Sequence, residues 1–190
     1  MKRILIPLLL LAALWGLNGI LGQYLNPYYL QVLVYIGINI VMATSLNLIN
    51  GYTGQFSLGH AGFMAVGAYA SAAFSVYFHP ALRGALGFIP EAALTPMLFL
   101  LSLAFGGLLA LIAGLVIGIP TLRLRGDYLA IATLGFGEIV IVIIYNMDVI
   151  GGARGFADIP GYADFFWVFT FAALTPVSYT HLTLPTILRV

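Results

Sequence analysis

The chain has 190 residues, of which 62% are hydrophobic and only 7% charged, with a formal net charge of +1. Soluble globular domains carry roughly 25% charged residues, so a mean hydropathy of +1.08 points instead to an all-α integral membrane protein, a polytopic transmembrane helix bundle. No basic cluster exceeds Lys2-Arg3 or Arg123-x-Arg125, which excludes the footprint of a nucleic-acid binder, and the absence of cysteine excludes disulfides, thiolate chemistry and cysteine metal sites.

The N-terminus, "MKRILIPLLLLAALWGLNGILG", places two cations before an apolar run. That run outlasts a signal-peptide core and no A-x-A site follows it, so the segment is expected to be an uncleaved first helix. A helix crosses the hydrocarbon with about 20 apolar residues. Runs of that length fall at about 4–22, 29–48, 58–78, 95–119 and 128–146, with a sixth starting near Phe165. The expectation is five complete helices and a truncated sixth, joined by short turns at Asn26-Pro27, Asn50-Gly51, His79-Pro80, Ile119-Pro120 and Gly151-Gly152. If Lys2 and Arg3 are cytoplasmic and each helix crosses once, Arg123 and Arg125 are cytoplasmic too. Arg83 and Arg154 then fall outside with Glu91, Asp148, Asp158 and Asp164, so the cation bias predicts a cytoplasmic N-terminus.

The first informative stretch is "NGYTGQFSLGHAGFMAVGAYA", residues 50–70. Asn50, Tyr52, Thr53, Gln55, Ser57 and His60 gather at a membrane boundary, where irregular backbone survives only if protein covers it or it lines a watery cavity. Gly51, Gly54, Gly59, Gly62 and Gly67 allow a helix break or close helix contact. The pattern suits either a substrate passage between transporter helices or a re-entrant structural loop. His60 reads as a packed histidine or a proton relay; no second ligand stands at metal-binding spacing. A hydrolase is excluded, because Ser57 and His60 have no G-x-S-x-G elbow and no acid in register.

In the fourth run, Gly106, Ala110, Gly114 and Gly118 recur every fourth position and predict a helix-packing face. The second informative stretch, "TLRLRGDYLAIATLGFGEIVIVIIYN", follows at 121–146. Arg123, Arg125 and Asp127 mark a membrane surface. Glu138 lies well inside the helix, where an ionised carboxylate costs roughly 2.5 to 3.5 kcal/mol, so it must meet a neighbouring helix, face a cavity or be protonated. The third stretch, "IGGARGFADIP" at 150–160, predicts a tight glycine turn.

After "FFWVFTFAALT" the chain turns to "PVSYTHLTLPTILRV", which is proline- and threonine-rich and lacks helical periodicity. It resembles a translated adapter sequence, so 176–190 is expected to be a non-native tail and 1–175 the N-terminal part of the native protein.

"SLNLINGYTGQFSLGHAGFMAVGAYASA", "TLRLRGDYLAIATLGFGEIV" and "GGARGF" together resemble the branched-chain amino acid ABC transporter permeases, in particular the M-subunit family, over about residues 30 to 160. That family's glycine-rich segment maps onto Gly54, Gln55, Ser57, Leu58, Gly59 and His60, and its second segment onto Arg123, Arg125, Gly126, Asp127, Tyr128 and Glu138. The resemblance implies that these positions line or shape a translocation path in the inner membrane. It also implies a second, homologous permease subunit, two cytoplasmic ATPase subunits and a periplasmic amino-acid-binding protein. The family's later Gly-Arg-Ala and Glu-Asn segment, which docks the ATPase, has no counterpart here. The chain contains no P-loop, so ATP would be used by partners and no cofactor held by this chain. The competing expectations are a secondary transporter or channel using Glu138, a structural membrane subunit, and an intramembrane enzyme that would need His60 and Glu138 to converge.

Overall fold

The computed structural model describes residues 26–87, 89–124, 126–157 and 166–175, with Gly16, Tyr24 and Ile159. The expected first helix lies outside the described residues except for Gly16, and Arg125, Asp158, Asp164 and the tail 176–190 lie outside them as well. Among the described residues all regular secondary structure is helical, and no strand occurs. The helices are α1 (Pro27–Leu48), α2 (His60–Tyr77), α3 (His79–Ala85), α4 (Glu91–Thr121), α5 (Asp127–Tyr145) and α6 (Phe166–Thr175). The stretches Pro27–Gly51, Ala93–Thr121 and α5 are each long and apolar enough to cross a membrane, and α2 with α3 is a fourth if that bent pair is one span. The expected runs at 29–48, 58–78, 95–119 and 128–146 correspond to α1, α2, α4 and α5, with ends within a few residues.

The ends differ for identifiable reasons. Pro27 starts α1 two residues early because Asn26 caps it, accepting the Tyr28 N–H on its side chain at 3.2 Å. The His79-Pro80 turn is helical: Pro80 lacks the N–H that would bond to the Val76 carbonyl, so the helix does not continue straight but bends by 47° into α3. Proline does not end α4 at Ile119. The helix runs through Pro120 to Thr121, whose hydroxyl donates to the carbonyls of Ile117 (2.8 Å) and Gly118 (3.1 Å) in the disturbed last turn.

Two compact units result, Met1–Thr53 with Ala163–Val190 and Gly54–Tyr162. In the first, Gly37 of α1 faces α6: a Cβ there would stand 2.7 Å from Val168 Cγ1 and 3.3 Å from Phe169 Cε2. A π-helical turn, Ile49–Thr53, follows α1.

In the second unit α2 packs along both α4 and α5. Against α4 it runs antiparallel. A Cβ on Gly106 would meet the Gly67 carbonyl oxygen at 2.5 Å and Ser71 Cβ at 2.9 Å, and farther along Phe74 and Phe105 approach to 5.0 Å between ring centres. Against α5 it runs parallel, with Gly62 opposite Gly137 near one end and Tyr77 opposite Val149 at the other. Leu94, Leu98, Leu129, Ala130, Ile144 and Ile150 are buried, while large apolar side chains such as Leu111, Val116, Ile131 and Val142 are exposed. This is the distribution expected where lipid replaces water around the bundle.

Substitution separates the contact glycines from the idle ones. Gly62→Ala, whose Cβ would meet Gly137 Cα at 2.9 Å, and Gly106→Ala are each expected to destabilise by about 1–3 kcal/mol. Gly107→Ala, with nothing within 4 Å among the described residues, is expected to match the parent. Thermal unfolding midpoints in detergent measure the difference.

Candidate functional site

Between the π-helical turn and α2 the chain is non-helical from Gly54 to Gly59. Gly54 opens the break with φ +63, a left-handed conformation that glycine adopts without strain. Gly54 itself is exposed, Gln55 and Ser57 are half-buried, and Gly59 is buried. His60 is the first residue of α2 and also half-buried. Just before the segment, Asn50 Oδ1 is buried and accepts no hydrogen bond among the described residues.

The segment is fixed by α5. The Leu58 N–H donates to Thr133 Oγ1 at 3.1 Å, and that hydroxyl donates in turn to the Ala130 carbonyl at 2.9 Å. A Cβ on Gly59 would collide with the Thr133 carbonyl, one on Gly62 would stand 2.9 Å from Gly137 Cα, and one on Gly137 would stand 3.3 Å from Gly59 Cα. Three glycines and a threonine thus bring the two backbones into contact. Thr133 lies about 9 Å along the axis from Asp127, the first residue of α5. The polar break therefore extends beyond the level of the helix terminus, where uncovered backbone is not tolerated.

The two sequence stretches meet, but not through every residue singled out. Glu138 follows Gly137 and so stands about 100° round α5 from that contact. It is exposed and makes no hydrogen bond or ion pair among the described residues. No hydrogen bond joins it to His60. Among the described residues no group of three His, Asp or Glu could hold a metal ion. Arg123 and Asp127 are exposed around the short α4–α5 turn. Of the small-residue row on α4, Gly106 and Ala110 lie against Gly67 and Ser71 of α2, whereas Gly114 and Gly118 have nothing within 4 Å among the described residues. Sequence reasoning missed Thr133 and Gly137 as the receiving surface. The available signal was the "TLGFG" run, which puts a hydroxyl and a glycine four residues apart on one helix face.

The third stretch forms the opposite end of the α2–α5 pair. Two 3₁₀ turns, Asp148–Ile150 and Gly152–Arg154, are joined by Gly151 at φ +85 and Gly152 at φ +53. The Tyr77 hydroxyl donates to the Val149 carbonyl at 2.6 Å, and its ring meets Phe156 edge-on. A shallow cavity of about 180 Å³ lies there, lined by Ala68, Tyr69, Ala72, Phe156 and Ile159. Arg83 of α3 pairs with Glu91 of α4 nearby in the chain, both side chains exposed, so the pair contributes little.

Thr133→Val keeps the shape but removes the acceptor of the Leu58 N–H, with an expected cost of about 0.5–1.5 kcal/mol. Limited proteolysis should then cut within 54–59 faster than in the parent, and Thr133→Ser should restore resistance.

The chain resembles known proteins over most of its length. Residues 28–188 match the sequence model of a family described as the branched-chain amino acid transport system, permease component. It is 38% identical over 160 residues to the high-affinity branched-chain amino acid transport system permease protein LivM of Escherichia coli (strain K12), covering 84% of this chain and 32% of that protein. The protein of the same name from Salmonella typhimurium is 36% identical over equal shares. A probable branched-chain amino acid transport permease protein LivM of Methanocaldococcus jannaschii is 26% identical over 66% of this chain and 41% of its own length. No solved structure matches. The chain spans about a third of the length of its two bacterial relatives. The glycine-lined α2–α5 contact is thus built from residues of a matched family domain, and the chain belongs to the branched-chain amino acid transport permeases.

Proposed function

We propose that the chain is a transmembrane permease subunit of an ATP-driven importer for branched-chain or related amino acids, and that it forms part of the translocation path in the bacterial inner membrane. In this reading its N-terminus is cytoplasmic. It works with a second homologous permease, two cytoplasmic ATPases that use the ATP, and a periplasmic amino-acid-binding protein. It binds no cofactor and catalyses no reaction itself.

The observation that carries the reading is the polar break at 54–59 held on α5. Discontinuous helices at a contact between helices are how transporters put polar backbone next to a solute inside the membrane. Here Gly54 supplies the break, Gln55, Ser57 and His60 supply hydrogen-bonding groups, and the Leu58–Thr133 bond fixes one wall. When the ATPases change state, relative movement of the permease helices opens this segment to one side and then the other. Glu138, about 16 Å along α5 from Asp127, acts in this reading through a group brought to it by the assembled complex, because an ionised carboxylate at that depth must be compensated.

The test uses the full-length permease assembled with its partners in vesicles. Glu138→Gln is expected to lower ATP-dependent leucine uptake at least about tenfold, the equivalent of 1.4 kcal/mol, while the assembled complex is recovered at the parent level. Unchanged uptake would remove the role of the carboxylate. Uptake driven by an ion gradient with no ATP would replace the importer reading with a secondary transporter.

A further inference from the structure

The surface of α2 beyond the polar break has a feature that the motifs do not account for. Ala68, Tyr69 and Ala72 of α2, with Phe156 and Ile159 of the chain after α5, line the shallow cavity of about 180 Å³. All five belong to the second compact unit. Ala68 and Ala72 each follow a residue of the α4 contact, Gly67 and Ser71, so they stand about 100° round α2 from it. Ala68 is also about 12 Å along the axis from His60 and about 14 Å from Tyr77, near the middle of the 18-residue helix. The cavity thus reaches well into the span.

Its wall has two parts. Alanine at 68 and 72 leaves out the bulk that would fill the hollow, and Gly155, at φ +80, turns the chain so that Phe156 lies against α2. The Gly155 N–H returns to the Gly152 carbonyl at 3.2 Å, but the N–H groups of Phe156 and Ala157 donate to none of the described residues. The hydroxyl of the half-buried Tyr69 is likewise without a partner among them. Lipid is a poor occupant, because non-helical backbone with open N–H groups is not tolerated against hydrocarbon. Water alone is a poor occupant too, since most of the lining is carbon, and an apolar cavity of about 150 Å³ can stay dry and hold benzene. A solute with an apolar side chain and polar ends meets both conditions.

We infer that this cavity is a subsite for the branched aliphatic side chain of the transported amino acid; the inference rests on the permease reading above. An isobutyl or isopropyl group is smaller than benzene and fits the hollow. Because the cavity is shallow, the ammonium and carboxylate stay at its mouth. There the N–H groups of Phe156 and Ala157 can donate to the carboxylate, and the Tyr69 oxygen can accept from the ammonium. Ala68 and Ala72 lie about 12 and 18 Å along α2 from His60, so the subsite is a separate station from the polar break and sorts solutes by the size of their side chain.

The test uses the full-length permease assembled with its partners in vesicles, and compares ATP-dependent uptake of leucine with that of valine, each at limiting concentration. Ala72→Val and Ala68→Val each narrow the cavity. Each is expected to lower the leucine-to-valine ratio at least about tenfold, since one methylene too many in an apolar pocket is worth roughly 10 to 200-fold. Ala72→Gly removes a carbon from the wall and cannot clash, so it carries the test where a larger side chain prevents assembly; it is expected to raise phenylalanine uptake relative to leucine. Ratios equal to the parent's, whether both rates fall or neither does, would overturn the subsite, as they would if lipid or a side chain of the assembly filled the cavity. Parent vesicles separate the two readings. ATP-dependent leucine uptake by the parent with unchanged ratios in the variants removes the subsite alone, whereas no such uptake by the parent removes the permease reading beneath it.

Discussion

Hydrocarbon supplies no hydrogen bonds, and this constraint governs the second unit from its first residue. The non-helical chain at 54–59 brings backbone N–H and C=O groups to a depth where each needs a partner. The Leu58 N–H finds one in Thr133, and that bond is reachable only because Gly59, Gly62 and Gly137 remove the side chains that would hold α2 and α5 apart. Once α2 is fixed there, its far end is tied down by the Tyr77–Val149 bond, and its other side presents Gly67 and Ser71 to α4. The polar break and the tight helix contact are therefore one feature.

Small residues act by position rather than by composition. A glycine contributes to packing in lipid when its missing Cβ lets a neighbouring backbone approach, and nothing when the space beside it is open. Gly106 is of the first kind, while Gly107, Gly114, Gly118 and Gly135 are of the second among the described residues. A four-residue spacing is thus an incomplete mark of a contact, since among the described residues the row on α4 has one half engaged and the other half open.

The spans α1, α2, α4 and α5 were legible because hydropathy and length decide them, and the bilayer leaves the backbone few alternatives. The glycine turn after α5 was legible as well, because the paired glycines at 151 and 152 adopt positive φ. What stayed hidden depended on three dimensions. Pro80 and Pro120 look alike in sequence, yet one accompanies a 47° bend and the other sits inside a helix whose last turn is bridged by Thr121. Likewise the motif at 54–60 announced that it needed a partner, but nothing local named Thr133, which lies 75 positions away. Glu138 was legible as unusual, yet its lack of a partner among the described residues emerges only from its place on α5.

The unequal lengths of α4 and α5 have a geometric consequence. α5, with 19 residues, is about 28 Å long and α4, with 31, about 46 Å, against a hydrocarbon thickness of about 30 Å. A short turn joins them at one end, so their mismatch of about 18 Å gathers at the N-terminal end of α4. Tilt rarely exceeds about 40° and cannot absorb all of it. The first turns of α4 must emerge into the headgroup region, on the side where α3, the Arg83–Glu91 pair and the paired 3₁₀ turns are found. Within this unit the α4–α5 pair is therefore lopsided: a collar of ordered chain stands above the hydrocarbon at one end, while at the other α4 and α5 are joined by a short turn.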